Sequence, residues 1–261
     1  MLGRISAALL VSIVSVALSS CGGGGGGSDQ GNPCGDLNIR VTGGSQCRFE
    51  RSPVVSVITL FQSGDVGFCS GTMVTVDDVL TAGHCFGKGE PIQDIRVYVD
   101  QTPYAIKNGA VHPRYNYKTG SPFDLAMLTI DGVLDIGPVP LILSRESGIG
   151  DSITVFGYGN DENNQSFAEK GPSSLKAGFM RIAHTAPGLF GADFDETGSA
   201  ICQGDSGGPA TQVVDGKTGI VGITSFTLSG CTTGSVSGFI DIQYTDIYGF
   251  ILGYAPDVPV I

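Results

Sequence analysis

The chain of 261 residues has no tryptophan, three histidines, and 14 Lys and Arg against 25 Asp and Glu. The formal net charge of −11 argues against a nucleic-acid partner, whose phosphates such a surface would repel. Beyond residue 20 no apolar run is long enough to cross a bilayer as a helix. No internal repeat is visible, which sets repeat architectures aside. The shortage of histidine leaves His84, His112 and His184 as the candidates for an imidazole base. Glycine, in contrast, is abundant at 41 residues, alongside 13 prolines, and the length suits one large all-β domain or two smaller ones sharing a core.

Residues 1–20, MLGRISAALLVSIVSVALSS, carry Arg4, an apolar run from Ile5 to Leu18 and small residues at the end. This is the layout of a signal peptide. Leu18-Ser19-Ser20-Cys21 resembles the lipobox of bacterial lipoproteins. That resemblance implies export from a bacterial cell and lipidation of Cys21, which would anchor the protein to a membrane at about 0.8 kcal/mol per buried CH₂. Gly22 after the cysteine fits outer-membrane sorting; a secreted form is the other expectation. Residues 21–40 then form a Gly-rich tether and propeptide without core-forming side chains. Seven cysteines is an odd count for an exported protein, and setting Cys21 aside leaves six whose pairing the spacing alone does not select.

From Val54 onward the segments VVSVITLF, GTMVTV, IRVYV, LAMLTI, SITVFGYG and GIVGITSF read as strands, rich in Val, Ile and Thr and separated by Gly, Pro, Asn and Asp. Many short strands without alternating helical patterns indicate a sandwich or barrel. Near the end, YTDIYGFILGY spaces Ile247, Phe250 and Ile251 as one helical face, with Thr245 or Asp246 as the expected cap.

The segment ICQGDSGGPA, 201–210, places Ser206 after an acid and among glycines. A serine hydroxyl is a weak nucleophile until a base takes its proton, and the base in turn needs a buried carboxylate to fix its tautomer. His84 in LTAGHC directly follows a strand-like segment, and Asp124 in FDLAMLTI opens an apolar strand where it can be buried. His112, before Pro113, and His184, among polar neighbours, suit packing or surface roles.

These three segments resemble the chymotrypsin/trypsin-like serine proteases, with LTAGHC, DLAML and GDSGGP matching that family's histidine, aspartate and serine motifs in the family's chain order. The resemblance implies a fold of two six-stranded Greek-key β-barrels with a C-terminal helix, over a protease domain of residues 41–261 divided at about residue 145. It implies a serine endopeptidase acting on proteins or peptides, with Ser206 as nucleophile, His84 as general base and Asp124 as its orienting partner. The N–H groups of Gly204 and Ser206 would form the oxyanion hole, and Ser225 would hydrogen-bond the aspartate. Disulfides Cys69–Cys85 and Cys202–Cys231 follow from the same likeness. Cys47 matches a family cysteine whose usual partner falls at Ala177, so Cys34 is its expected substitute. The alternative, a non-catalytic binding protein on a protease fold, usually shows a damaged triad, and here all three members are present.

NIRVTGG, 38–44, resembles the family's activation site. Cleavage after Arg40 by a protease of basic specificity would free Val41, whose ammonium would pair with Asp205 and organise the oxyanion loop. The resemblance also implies substrate contacts from Ala200 at the pocket base, Ile201, Gln203, Ser225, Phe226, Thr227 and Gly238. Ala200 in place of an acid disfavours basic substrates, and Thr227 narrows the entrance, so small or medium apolar residues are expected before the scissile bond. With the cysteines assigned to disulfides, no His/Cys cluster is left for a metal, and no cofactor is expected.

Overall fold

The computed structural model describes residues 45–46, 52–87, 89–118, 122–159, 174–194 and 198–261. Strand β1 is the pair Ser45–Gln46. The next six strands are β2 (Val54–Phe61), β3 (Val66–Met73), β4 (Asp78–Thr81), β5 (Ile92–Val99), β6 (Thr102–Val111) and β7 (Ala126–Ile130). They close into an antiparallel barrel in the order β2-β3-β4-β7-β6-β5. Val55, Val57, Val79, Val97, Leu128 and Ile130 fill its interior. Alternation along these β-branched runs turns one face inward, as period-two patterning requires.

The second half contains β8 (Ser152–Gly157), β9 (Lys176–Arg181), β10 (His184–Ala186), β11 (Leu189–Asp193), β12 (Pro209–Val214), β13 (Lys217–Leu228) and β14 (Val236–Asp241). With β1 they form an eight-stranded sheet ordered β1-β9-β8-β12-β13-β14-β11-β10. The expected six-stranded unit is the run from β9 to β11 in that order. The short strands β1 and β10 extend it at the two edges, β10 as one arm of a hairpin with β11. The β1 pairing sets Gln46 opposite Lys176, so a strand from the chain's first half completes the second sheet.

A third apolar cluster lies between the halves. Leu80, Leu125 and Met127 from the barrel meet Ile220, Ile223 and Ile240 from the sheet, and the C-terminal helix (Thr245–Tyr254) adds Ile247 and Ile251. The helix begins after Tyr244, and no side chain caps it, so neither Thr245 nor Asp246 plays the expected capping role. Asp246 instead sits in the first turn, where a negative charge favours the helix dipole, and it pairs with Arg114. Phe250 is partly buried and meets the His112 ring edge-on, with centroids 4.8 Å apart. Phe123 and Leu125, on either side of Asp124, belong to this cluster.

Candidate active site

His84 is presented by a 3₁₀ turn, Gly83–Phe86, that directly follows β4. The Cys69–Cys85 disulfide ties this turn back to β3. Asp124 lies at the tip of a tight turn in which Leu125 N–H donates to Phe123 O at 2.8 Å, just before β7. Strands β4 and β7 are adjacent in the barrel, so the two segments emerge side by side.

The carboxylate is 5% exposed and receives hydrogen bonds on both oxygens. Oδ1 accepts the His84 backbone N–H at 2.7 Å. Oδ2 lies 2.7 Å from His84 Nδ1 and accepts the Ser225 hydroxyl at 2.5 Å. Anchored in this way, the carboxylate places the proton on Nδ1 and leaves Nε2 of the half-exposed imidazole as the basic nitrogen. Nearby, Tyr115 is pushed up to about 12 by burial and by the Asp124 charge, so it stays a neutral phenol at physiological pH.

Ser206 comes from the second half and is seated against the first by its neighbours. Its carbonyl accepts Ser70 N–H at 2.7 Å, and Ser70 Oγ donates to Gly204 O at 2.8 Å. Ser70 follows Cys69 on β3, which carries the bridge to Cys85 beside the imidazole. At Gly207 a Cβ would lie 2.2 Å from Thr81 Oγ1 and 2.8 Å from Ala82 N, so only glycine lets the serine loop close onto the segment leading to His84. Backbone contacts thus bring the third triad segment to the other two.

Gly204 has φ of +97°, the left-handed region that glycine alone enters at little cost. In this loop Cys202 N–H donates to Asp205 Oδ2, Asp205 N–H to Cys202 O, Gly207 N–H to Thr224 O and Gly208 N–H to Asp205 O. Among the described residues, the N–H groups of Gly204 and Ser206 donate to no protein acceptor. Two donors two residues apart, with the Asp205 amide between them and the Gly207 and Gly208 amides after them already paired, suit an oxyanion that appears only during reaction.

Asp205 is buried, and its Oδ1 accepts Gly159 N–H at 2.8 Å. Burial pushes its carboxyl up to about 6, against the pull of the Cys202 and Gly159 N–H groups and the Lys176 charge. Arg40, Val41, Cys21, Cys34 and Cys47 lie outside the described residues.

The expected substrate-side residues gather on the loop before Ser206 and on β13. Ala200 and Ile201 are buried, Gln203 is exposed, and the Cys202–Cys231 disulfide joins this loop to the end of β13. Phe226 is 41% exposed, and Thr227 Oγ1 donates to Gly230 O at 2.6 Å. The β13–β14 register sets Gly238 opposite Phe226 and Ser237 opposite Thr227. A Cβ on Gly238 would lie 2.3 Å from the Phe226 ring, so this glycine makes room for the aromatic platform. Ser237, buried and accepting Ile201 N–H at 3.4 Å, is the residue that faces the loop of Ala200 and Ile201. The irregular span between Cys231 and β14 hid this register in the sequence.

His112 and His184 stand apart from this constellation. His112 is stacked on Phe123 (4.8 Å), accepts Arg114 N–H on Nδ1 and meets Asp246 O through Nε2. Burial holds its pKa below the ordinary histidine value. His184 is exposed and lies 2.7 Å from Asp193. Cys69, His84 and Cys85 group closely enough to suggest a metal, but the two sulfurs are bonded to each other.

The barrel, the second sheet, the His84–Asp124 pair and the docking of the Ser206 loop on β3 are an arrangement suited to acyl-enzyme chemistry. A family profile described as Trypsin matches residues 41–248, and the chain belongs to that family of serine endopeptidases. It is 27% identical to a trypsin from Saccharopolyspora erythraea over 71% of this chain and 86% of that one. It is also 27% identical to chymotrypsin-like elastase family member 1 from Felis catus, over 75% of this chain and 82% of that protein. With serine proteinase stubble of Drosophila melanogaster it shares 29% identity over 87% of its own length but only 32% of that much longer protein. The solved structure of HL collagenase superposes with a TM-score of 0.62 at 21% identity, covering 78% of this chain and 93% of that one, which supports the fold.

Proposed function

We propose that this chain is an exported, lipid-anchored endopeptidase that cleaves after small or medium apolar residues and is made as a zymogen cut after Arg40. The observation that carries the catalytic part is the hydrogen-bonded line from Ser225 through Asp124 to His84, with Ser206 docked on β3 beside it. In the reaction Ser206 Oγ attacks the scissile carbonyl while His84 takes its proton. The oxyanion forms against the N–H groups of Gly204 and Ser206. His84 then returns the proton to the leaving amine, and water repeats the sequence on the acyl-enzyme.

The apolar preference is supported by buried Ala200 and Ile201, with no acid at the expected pocket base, and by Thr227, paired with Ser237 across β13 and β14, at its expected entrance. One methylene in such a pocket is worth about 1–3 kcal/mol, so the preference is graded. An apolar pocket does not suit cleavage after Arg40, which assigns activation to a separate protease of basic specificity. The activation reading is supported by buried Asp205, a carboxylate suited to a cation beneath the oxyanion loop. Cys34 and Cys47 stand on opposite sides of the cut, and a bridge between them would keep the processed enzyme on the lipidated segment.

The test is a peptide-library cleavage profile on processed protein, combined with N-terminal sequencing. An N-terminus at Val41 and cleavage after Ala, Val, Leu or Met support the proposal. Cleavage mainly after Arg or Lys, or active material beginning elsewhere, contradicts it.

A further inference from the structure

Among the described residues, Lys176 is a cation buried in the fold. It is 7% exposed, on β9 directly opposite Gly157 at the end of β8. An ammonium is strongly hydrated, so burying it without compensation costs several kcal/mol. Its Nζ donates to Gly159 O at 2.5 Å, and the N–H of the same Gly159 donates to Asp205 Oδ1 at 2.8 Å. The side chain of Asp205 crosses the end of β8 so closely that a Cβ at Gly157 would lie 2.1 Å from its Oδ1. Lys176 and Asp205 therefore grip the two polar groups of one residue from opposite charges. The Lys176 charge, with the Cys202 and Gly159 N–H groups, pulls the Asp205 carboxyl down against the effect of burial.

A second anchor acts on the same loop from the other side. Ser70 Oγ donates to Gly204 O, accepts Tyr158 N–H at 2.9 Å, and is fully buried. Tyr158 directly precedes Gly159, so Ser70, Tyr158, Gly159, Asp205 and Gly204 form one closed hydrogen-bonded circuit. All of its members, and Lys176, lie on the C-terminal side of the Arg40–Val41 bond.

We propose that Lys176 is a built-in counter-ion for Asp205, a positioning residue that organises the oxyanion loop before the Arg40–Val41 bond is cut, so that the uncut chain is already a working hydrolase. The inference rests on the activation reading above and modifies it: the new Val41 ammonium adds to an existing cation. Lys176 touches neither substrate nor reacting atoms. It acts through Asp205 and Gly159 on the two amides that receive the oxyanion.

The experiment uses the full-length chain with Arg40→Gln, which blocks cleavage at that bond, and measures the rate of covalent labelling of Ser206 by a fluorophosphonate. The uncut chain should label measurably. Adding Lys176→Met should slow that labelling by about a hundredfold, the scale set by leaving a buried charge without its partner. Lys176→Gln, which keeps a donor for Gly159 O but removes the charge, should slow it comparably, while Lys176→Arg should restore much of it. Lys176→Met in chains with Arg40 intact and cut after it should label at the cut parent's rate, because Val41 then supplies the cation. Thermal unfolding of each variant reports whether it is folded, and Lys176→Gln carries the test if Lys176→Met is not.

Four results overturn the proposal: no labelling of the uncut parent, no slowing by Lys176→Met, full rate with Lys176→Gln, or equal losses in cut and uncut forms. If the Arg40→Gln chain is as active as wild type, activation at Arg40 fails as a reading. Lys176 is then judged on that single form, where slowing by both neutral variants supports its role and unchanged labelling overturns it.

Discussion

Asp124 concentrates three donors on one carboxylate: the His84 amide, the His84 ring and the Ser225 hydroxyl. Replacing it by Asn keeps the shape but presents an N–H donor or a weaker acceptor to Nδ1, which favours the wrong tautomer. Asp124→Asn should lower kcat by about 10⁴-fold with little change in thermal stability, measured by peptide hydrolysis and melting. At the pocket entrance, Thr227→Gly should shift preference toward larger apolar or aromatic residues by about tenfold, since one or two side-chain carbons are involved. A cleavage profile unchanged by this substitution would remove Thr227 from the specificity assignment. The triad was legible because each member sits in a dense local motif. Ser70, Lys176 and Ser237 were not, because each is a single polar residue in a strand whose importance arises from a partner far away in sequence.

In the loop of residues 201–208 the glycines have distinct steric reasons. Gly204→Ala would force an alanine to φ of +97° with its Cβ 2.9 Å from Gly159 Cα and from the Phe68 ring. The displaced amide should cost about 10²–10³-fold in kcat, read against KM in steady-state kinetics. Strands with Val and Ile runs, such as β2 and β7, were readable from residue type. GTMVTV runs past the end of β3 at Met73, and β4, β10 and β11 went unread. Strands β6 (TPYAIKNGAV), β9 (KAGFMR), β12 (PATQVV) and β14 (VSGFID) were missed because Pro, Gly and polar residues dilute their propensity. Their conformation is imposed by pairing with stronger neighbours, a tertiary effect that local pattern does not carry. The C-terminal helix depends on a different element, the loop of His112. That imidazole is held neutral by burial, and its Nδ1 accepts Arg114 N–H, a bond that protonation destroys. A depressed histidine pKa contributes stability that is full above the free value of about 6.5 and is lost as pH falls through the lower folded value. Melts across mildly acidic pH should therefore show a steeper fall for the parent than for His112→Phe.

At the scale of the described fold, the two halves meet along a third apolar cluster that includes Phe123 and Leu125 on either side of Asp124. The strand pattern left a sandwich and a barrel both open and the family likeness implied barrels, whereas the eight-stranded second sheet, with β1 and the β10–β11 hairpin at its edges, follows from long-range pairing. Asp205 links this architecture to pH. Burial raises its carboxyl to about 6 from an ordinary value near 4, so its stabilising share is full below about 4 and lost as pH rises through about 6. The Arg40→Gln chain should lose thermal stability over that interval relative to the same chain with Asp205→Asn, as followed by melting temperature. The account as a whole depends on one relay, His84 activating Ser206 under the control of Asp124. Its most direct measurement is fluorophosphonate labelling of processed protein, with the modified residue identified by peptide mass analysis. The account predicts one adduct, on Ser206, that is lost in Ser206→Ala and slowed severely in His84→Ala. An adduct on another residue, or labelling that survives either substitution unchanged, would contradict it.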